Sequence, residues 1–307
     1  MVHASSLILL LALGVVACSL ERRDPARPSA GAGGTGGPRG ATGAASTSDG
    51  PTVAALRFPA DSEIPEGPLG ASIRRGRAIL VATNDSLPGY VGNALTCTDC
   101  HQDAGTRPNS SPWVGVYTQF PQYRSRNARI NLIEDRINDC FRRSMKGKAL
   151  PVDHPAMLDM IAYFSFLSWR VPPATPVAGQ GYPRLTPLEP DTTRGQAVYE
   201  ATCAVCHAAD GTGTVGGPPV WGDRSYTIGA GMARVRTAAA FIRHNMPMDR
   251  PGTLTDQEAF DVAAYINSRP RPDFAGKEND WPDGDPPPDV AYPTRAAAAK
   301  AASRRTP

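Results

Sequence analysis

Long apolar runs, aromatic side chains and charge of one sign are all scarce in this chain of 307 residues. Each shortage removes a class of function. No stretch approaches the roughly 18 consecutive apolar residues of a membrane-spanning helix. The run from Leu7 to Ala17 stops at eleven residues. Aromatics make up only 7% of the chain, thin material for a conventional core. A large apolar prosthetic group can supply the surface that side chains do not. The net charge of +3 is unremarkable for the whole chain, and no nucleic-acid partner is expected. Glycine (30) and proline (31) are abundant instead, and they concentrate in stretches that need not fold.

The N-terminus also lacks the positive residues that usually precede an export signal, with only His3 ahead of the apolar run. That run ends Val15-Val16-Ala17-Cys18, which resembles a bacterial lipobox. Residues 1–18 therefore read as a signal peptide whose Cys18 receives lipid, giving an exported, periplasmic or cell-envelope protein that meets the membrane only through this anchor. A plain cleaved signal containing a Cys is the alternative.

Composition divides the rest. Residues 19–64 read as a disordered tether and 65–171 as a first folded domain. The stretch 172–191 carries Pro172, Pro173, Pro176, Pro183, Pro187 and Pro190, too dense for a helix or central strand, and reads as an extended linker. A second domain covers 192–274, and 275–307 reads as a disordered tail. Both domains place an amphipathic segment (Ala71–Leu80; Thr193–Glu200) before a Cys-rich motif and an apolar helix after it (His154–Trp169; Thr255–Ser268). Thr255 with Glu258 three residues on forms a capping box.

The motifs are Cys97-Thr98-Asp99-Cys100-His101 and Cys203-Ala204-Val205-Cys206-His207. In Cys-x-x-Cys-His the two thiols add to the vinyl groups of haem, and the His gives iron an axial nitrogen. A lone copy could be a redox or zinc site. Two copies in one exported chain predict an all-α fold of two fused monohaem cytochrome c-type domains with two covalent c-type haems.

Of six Cys, four serve the haems and Cys18 the signal, which leaves Cys140. The motifs are offset by 106 residues, and 106 added to Cys140 gives Met246. Each lies 39 residues after its motif His, His101 or His207. Met246, followed by Pro247, has the soft thioether expected of a sixth ligand. Cys140 then occupies the matching position over the first haem as a thiolate. An inert buried thiol, or ligation by Met145 or Met157, are alternatives in the first domain. Met248 and His244 compete in the second, while His154 reads as structural. A thiolate favours ferric iron and a thioether ferrous iron, so electrons would run from the first haem to the second.

Charge gathers at the same place. Arg124 to Lys148 holds eight basic and three acidic residues, whereas Thr193 to Arg269 balances at seven each. With Ile133–Met145 helical, Arg136, Cys140 and Ser144 share a face. A guanidinium and a hydroxyl beside a ligand sulfur suit a small oxyanion. A solvated basic face is the alternative for part of this run.

The stretches Gly89–Gly105, Pro112–Tyr117 and Glu134–Gly147 resemble the dihaem thiosulfate dehydrogenases, tetrathionate-forming cytochromes related to SoxA-type proteins. The resemblance spans roughly residues 65 to 270. It implies that Cys140 is the axial ligand of the active-site haem and that Arg126, Arg136 and Ser144 line the substrate pocket. It implies oxidation of two thiosulfate ions to tetrathionate, possible in reverse, with electrons passed to an external acceptor such as a small cytochrome or other redox protein. Asn245 stands where some relatives carry a Lys that also ligates iron, so Lys/Met exchange is not expected. A plain dihaem electron carrier is the competing function, and a SoxA-like subunit needing a partner cytochrome is a third. A carrier would have no need for Cys140 among arginines.

Overall fold

The computed structural model describes residues 53–303. The signal peptide, Cys18 and the tether up to residue 52 lie outside them. In chain order the helices are α1 (Pro68–Val81), α2 (Thr83–Ser86), α3 (Gln102–Gly105), α4 (Ile133–Asp139), α5 (Pro155–Ser168), α6 (Thr192–Val198), α7 (Ala204–His207), α8 (Val235–Asn245), α9 (Asp256–Ser268) and α10 (Arg295–Ser303). One antiparallel hairpin, β1 (Gln122–Arg124) with β2 (Arg129–Asn131), interrupts an otherwise helical chain.

Capping sets the helix starts. Pro68 and Pro155 open α1 and α5 at positions whose N–H would have no helical partner. The His154 ring accepts from the Ala156 N–H, so His154 caps α5. The Asp191 carboxylate accepts from the N–H groups of Thr193 and Arg194, and Thr255 with Glu258 closes the capping box of α9.

One crossing is built twice. α1 packs on α5, and α6 packs on α9. At each contact a glycine lets the backbones meet: a Cβ on Gly76 would lie 1.9 Å from the Asp159 carbonyl oxygen, and one on Gly195 2.0 Å from that of Asp261. The residue before each glycine, Arg75 or Arg194, grips the side chain of the same aspartate with two guanidinium nitrogens. Four residues beyond each aspartate stand Tyr163 and Tyr265, edge-on to Trp113 and Trp221. Those tryptophans cover Gly105 and Gly211, both at positive φ, where a Cβ would enter the indole ring. Two hydrophobic cores result, one centred on α5 and the other on α8 and α9.

Three expectations are corrected. The end of the expected tether, 53–64, packs on the body: Ala54 exchanges backbone hydrogen bonds with Pro176 and Ala178, and Ile64 enters the first core. Residues 172–191 hold no helix or strand, yet they lie against the loop after the first motif, with Asn109 and Ser111 donating to Gly179 and Gly181. The segment expected to be a disordered tail is ordered from 275 to 303. Trp281, Tyr292, Asp280 and Thr294 are buried, and α10 closes it. Its aromatic and acidic side chains have partners on the body that composition does not reveal.

The two halves form one compact unit rather than bodies held by a linker. Asn93 donates to the Ser144 and Ser225 carbonyls, Thr227 donates twice to the Arg143 carbonyl, and Leu95 packs with Tyr226, Ala230 and Ala233.

Candidate functional site

His101 and His207 are oriented in the same way. Nδ1 of His101 lies 2.6 Å from the Ser111 carbonyl oxygen, and Nδ1 of His207 lies 2.7 Å from that of Pro218. A backbone acceptor at Nδ1 fixes the proton there and leaves Nε2 as the free lone pair, the usual arrangement of a metal-ligating imidazole. Burial pushes His101 down to about 4, helped by the nearby Arg136 charge and opposed by the Ser111 carbonyl. Its ring is thus neutral at neutral pH, as ligation requires. The loop over the second motif is made close by glycine: a Cβ on Gly217 would come 3.0 Å from the His207 ring. Thr83 Oγ1 bonds the Cys97 sulfur at 3.2 Å.

These residues fit haem. Each half offers two thiols and an imidazole with one free nitrogen, and a soft sulfur donor directly follows a later helix. Cys140 directly succeeds α4, and Met246 directly succeeds α8. Cys140 lines the same cavity as Cys100 and His101. Met246 is partly buried against the core that holds Cys203, Ala204 and Trp221, whereas Met248 is 57% exposed. Met145 and Met157 are buried among first-core side chains. His244 directs Nδ1 to the Ala240 carbonyl of its own helix.

Beyond Asp139 the helix does not continue as α. Cys140–Ser144 forms a π turn in which the Met145 N–H donates to the Cys140 carbonyl at 3.0 Å. Such turns recur at functional sites because they re-aim side chains within a helix. The helix supposed over 133–145 is thus α to Asp139 and π from Cys140 to Ser144, and Arg136, Cys140 and Ser144 line one cavity.

That cavity, of about 830 Å³, opens onto Cys100 and His101 on one side. Its volume falls within the range of cofactor and ligand sites. Arg136 Nη1 donates to the Cys140 sulfur at 2.9 Å. The charge at Cys140 pushes the Arg136 guanidinium up, against its own burial. Arg126 donates to the Gly229 carbonyl at 2.8 Å and lies 4.7 Å over the Trp281 ring. Burial first, then the like charge of Arg143, pushes it down to about 10. The sequence pattern missed Arg234 and Tyr182 in the wall. Arg234 sits in a charge-balanced region and Tyr182 in a proline-rich one, so neither gave a signal.

The family model described as "SoxA/TsdA, cytochrome c domain" matches residues 91–172, and that described as "Cytochrome C oxidase, cbb3-type, subunit III" matches 190–266. A thiosulfate dehydrogenase of Allochromatium vinosum is 48% identical over 73% of this chain and 87% of its own length. One from Psychrobacter arcticus is 43% identical over 76% and 74%. Among solved structures, the thiosulfate dehydrogenase TsdBA of Marichromatium purpuratum superposes with a TM-score of 0.70 at 38% identity. The match covers 76% of this chain and 54% of that longer one.

Proposed function

The chain belongs to the thiosulfate dehydrogenases, dihaem c-type cytochromes acting on thiosulfate, and on that premise we propose that it joins two thiosulfate dianions into tetrathionate in the cavity beside Cys140, where Arg126, Arg136 and Ser144 also line the wall. The balance is simple. A sulfur–sulfur bond forms between the two terminal sulfurs, one dianion results, and two electrons leave without proton exchange. Haem held by Cys97, Cys100, His101 and Cys140 and by Cys203, Cys206, His207 and Met246 would supply a one-electron acceptor at each motif. The neutral Met246 thioether against an anionic Cys140 donor would make the second the more oxidising, and an external redox protein would take the electrons.

The residues of the chain handle the charge. Two dianions about 4 Å apart repel by roughly 4 kcal/mol even in bulk water. Arg126 and Arg136 offset this repulsion, and the Ser144 hydroxyl adds a donor beside them. The observation that carries the reading is Arg136 held 2.9 Å from the Cys140 sulfur in a cavity that also exposes His101. Tetrathionate reduction would use the same residues in reverse. An exported chain held by lipid at Cys18 would place this chemistry outside the cytoplasm. No helix among the described residues is long and apolar enough to cross a membrane.

The test is a coupled assay on haem-loaded protein, with thiosulfate as donor and ferricyanide as acceptor. Wild type is expected to turn over. Cys140→Met is expected to keep both haems and lose at least about a hundredfold in kcat, the scale of removing a group that acts in the transition state. A Cys140→Met protein as active as wild type, or a wild type inert toward thiosulfate and tetrathionate alike, would sink the assignment.

A further inference from the structure

Val205 is 81% exposed and Val215 fully so, the two highest values for large apolar side chains among the described residues. They stand at one place. Val205 lies inside the second motif, next to Cys206, which is itself exposed. Val215 lies in a turn closed by backbone hydrogen bonds between Thr214 and Gly217. The Thr214 hydroxyl pins that turn, donating to the Cys206 carbonyl at 2.6 Å and accepting from the Gly216 N–H at 3.0 Å. A Cβ on Gly216 would lie 3.7 Å from the Cys206 sulfur, so the turn sits beside the motif. Single apolar residues on a surface need no explanation, but two held out beside one haem-attachment cysteine do.

The first half treats the same places differently. The position matching Val205 is Asp99, whose carboxylate accepts from the Thr96 N–H. The loop after the first motif is covered, with Asn109 and Ser111 donating to Gly179 and Gly181. Ten positions separate Gly211 from Trp221, against eight between Gly105 and Trp113, and the longer loop is the one that carries the Val215 turn. Charge differs as well. No Lys or Arg occurs between Gly195 and Asp223, while Glu200 and Asp210 are exposed and form no ion pair among the described residues. Asp210 is held by Thr212 of its own loop and Glu200 by Gln196, both uncharged. This sign is opposite to that of the basic run from Arg124 to Lys148. It repels thiosulfate and tetrathionate and attracts a cationic partner.

We propose that Val205 and Val215, with the carboxylates of Glu200 and Asp210, form the docking surface for the electron acceptor, a redox protein that presents an apolar contact ringed by Lys or Arg. The inference rests on the reading above, in which an external redox protein takes the electrons. Two such proteins, each gaining one electron, clear the pair released per tetrathionate. Electron-transfer encounters occupy the small end of protein interfaces, below about 1,200 Å². Two apolar side chains with a sparse acidic rim suit that transient class better than a permanent dimer.

Stopped-flow mixing tests it. Haem-loaded protein, reduced with dithionite and freed of excess reductant, is mixed with oxidised mitochondrial-type cytochrome c, a basic one-electron acceptor, and separately with ferricyanide. Val205→Ser with Val215→Ser is expected to slow reduction of the cytochrome about tenfold or more, the scale of losing an interface anchor. Its ferricyanide rate should stay within about twofold of wild type, since a small ion needs no apolar surface. Glu200→Gln with Asp210→Asn should flatten the fall of the cytochrome rate with added salt. All four side chains are exposed, so the haem spectrum and unfolding midpoint should match wild type. A valine variant that reduces the cytochrome as fast as wild type overturns the docking surface, as does an equal loss toward ferricyanide. A wild-type chain that sediments as a dimer, dissolved by the valine variant, gives the patch to a second copy instead. Because dithionite supplies the electrons, the outcome is independent of thiosulfate. A chain that behaves as expected here and leaves thiosulfate untouched keeps the docking surface and loses the dehydrogenase reading.

Discussion

At the residue scale, the same position in two related halves carries different chemistry. Cys140 and Met246 both succeed a helix, both lie 39 residues from a motif histidine, and so can be compared directly. This correspondence could be read from spacing alone, because the same offset of 106 residues separates the two motifs and the two sulfur residues that follow a helix. Choosing between Met246 and Met248 could not. That choice depends on which thioether packs inward; Met246 packs against the second core and Met248 is 57% exposed, which supports Met246 as the proposed ligand. Met246→Leu is expected to lower the potential of the second haem and change its ferrous spectrum, since a neutral sulfur donor that favours ferrous iron is lost. Met248→Leu should leave both untouched. Equal shifts in a redox titration of the two variants would count against Met246. Asn245 adds a brace: its amide donates to the Asn109 carbonyl in the first half and to the Phe241 carbonyl of its own helix.

At the scale of elements, helices with local start signals were legible and elements set by distant partners were not. Thr255 with Glu258 marked α9 from sequence. The glycines at the two helix crossings gave no such mark, because an unremarkable Arg-Gly pair acquires meaning only when Asp159 or Asp261 arrives from the far end of its domain. Gly195→Ala drives a Cβ into the Asp261 backbone and should cost about 1–3 kcal/mol, the scale of overpacking. Denaturant unfolding measures it, and a cost below about 0.5 kcal/mol would mean that the helices separate freely. The pH dependence has a definite sign. Burial tends to raise Asp261, but bonds from Arg194, the Asp191 N–H and Gln257 outweigh it and hold the carboxyl below its ordinary value. A depressed carboxylate contributes stability above its unfolded pKa, roughly 4, and loses it as pH falls through the folded value. Asp261→Asn should therefore reduce stability at neutral pH and flatten its decline below about pH 4. An acid limb as steep as in wild type would place the titrating group elsewhere.

At the scale of the whole molecule, the C-terminal segment is where composition misled most. Proline, alanine and lysine between 275 and 307 read as disorder, yet Asp280 and Trp281 reach the cavity wall and hold its arginines. A few anchoring side chains suffice to order a proline-rich strand, and single anchors leave no periodic trace for a sequence reading to find. The segment ties the halves together: the Trp281 N–H donates to the Arg126 carbonyl of the first half, and Asp289 accepts from the Arg236 N–H at the start of α8 in the second. Arg143 and Asp280 are 12% and 7% exposed, so Asp280→Asn would leave a nearly buried guanidinium with only its longer contact to Asp139, at 3.6 Å. Breaking one side of a buried pair costs on the order of 3 kcal/mol. Denaturant unfolding of the haem-loaded protein should register that loss. Because Arg143 in turn neighbours Arg126, the KM for thiosulfate should rise together with the loss of stability while kcat changes little. If Asp280→Asn unfolds like wild type and its KM is unchanged, the segment merely covers the surface and the arginines hold their positions without it.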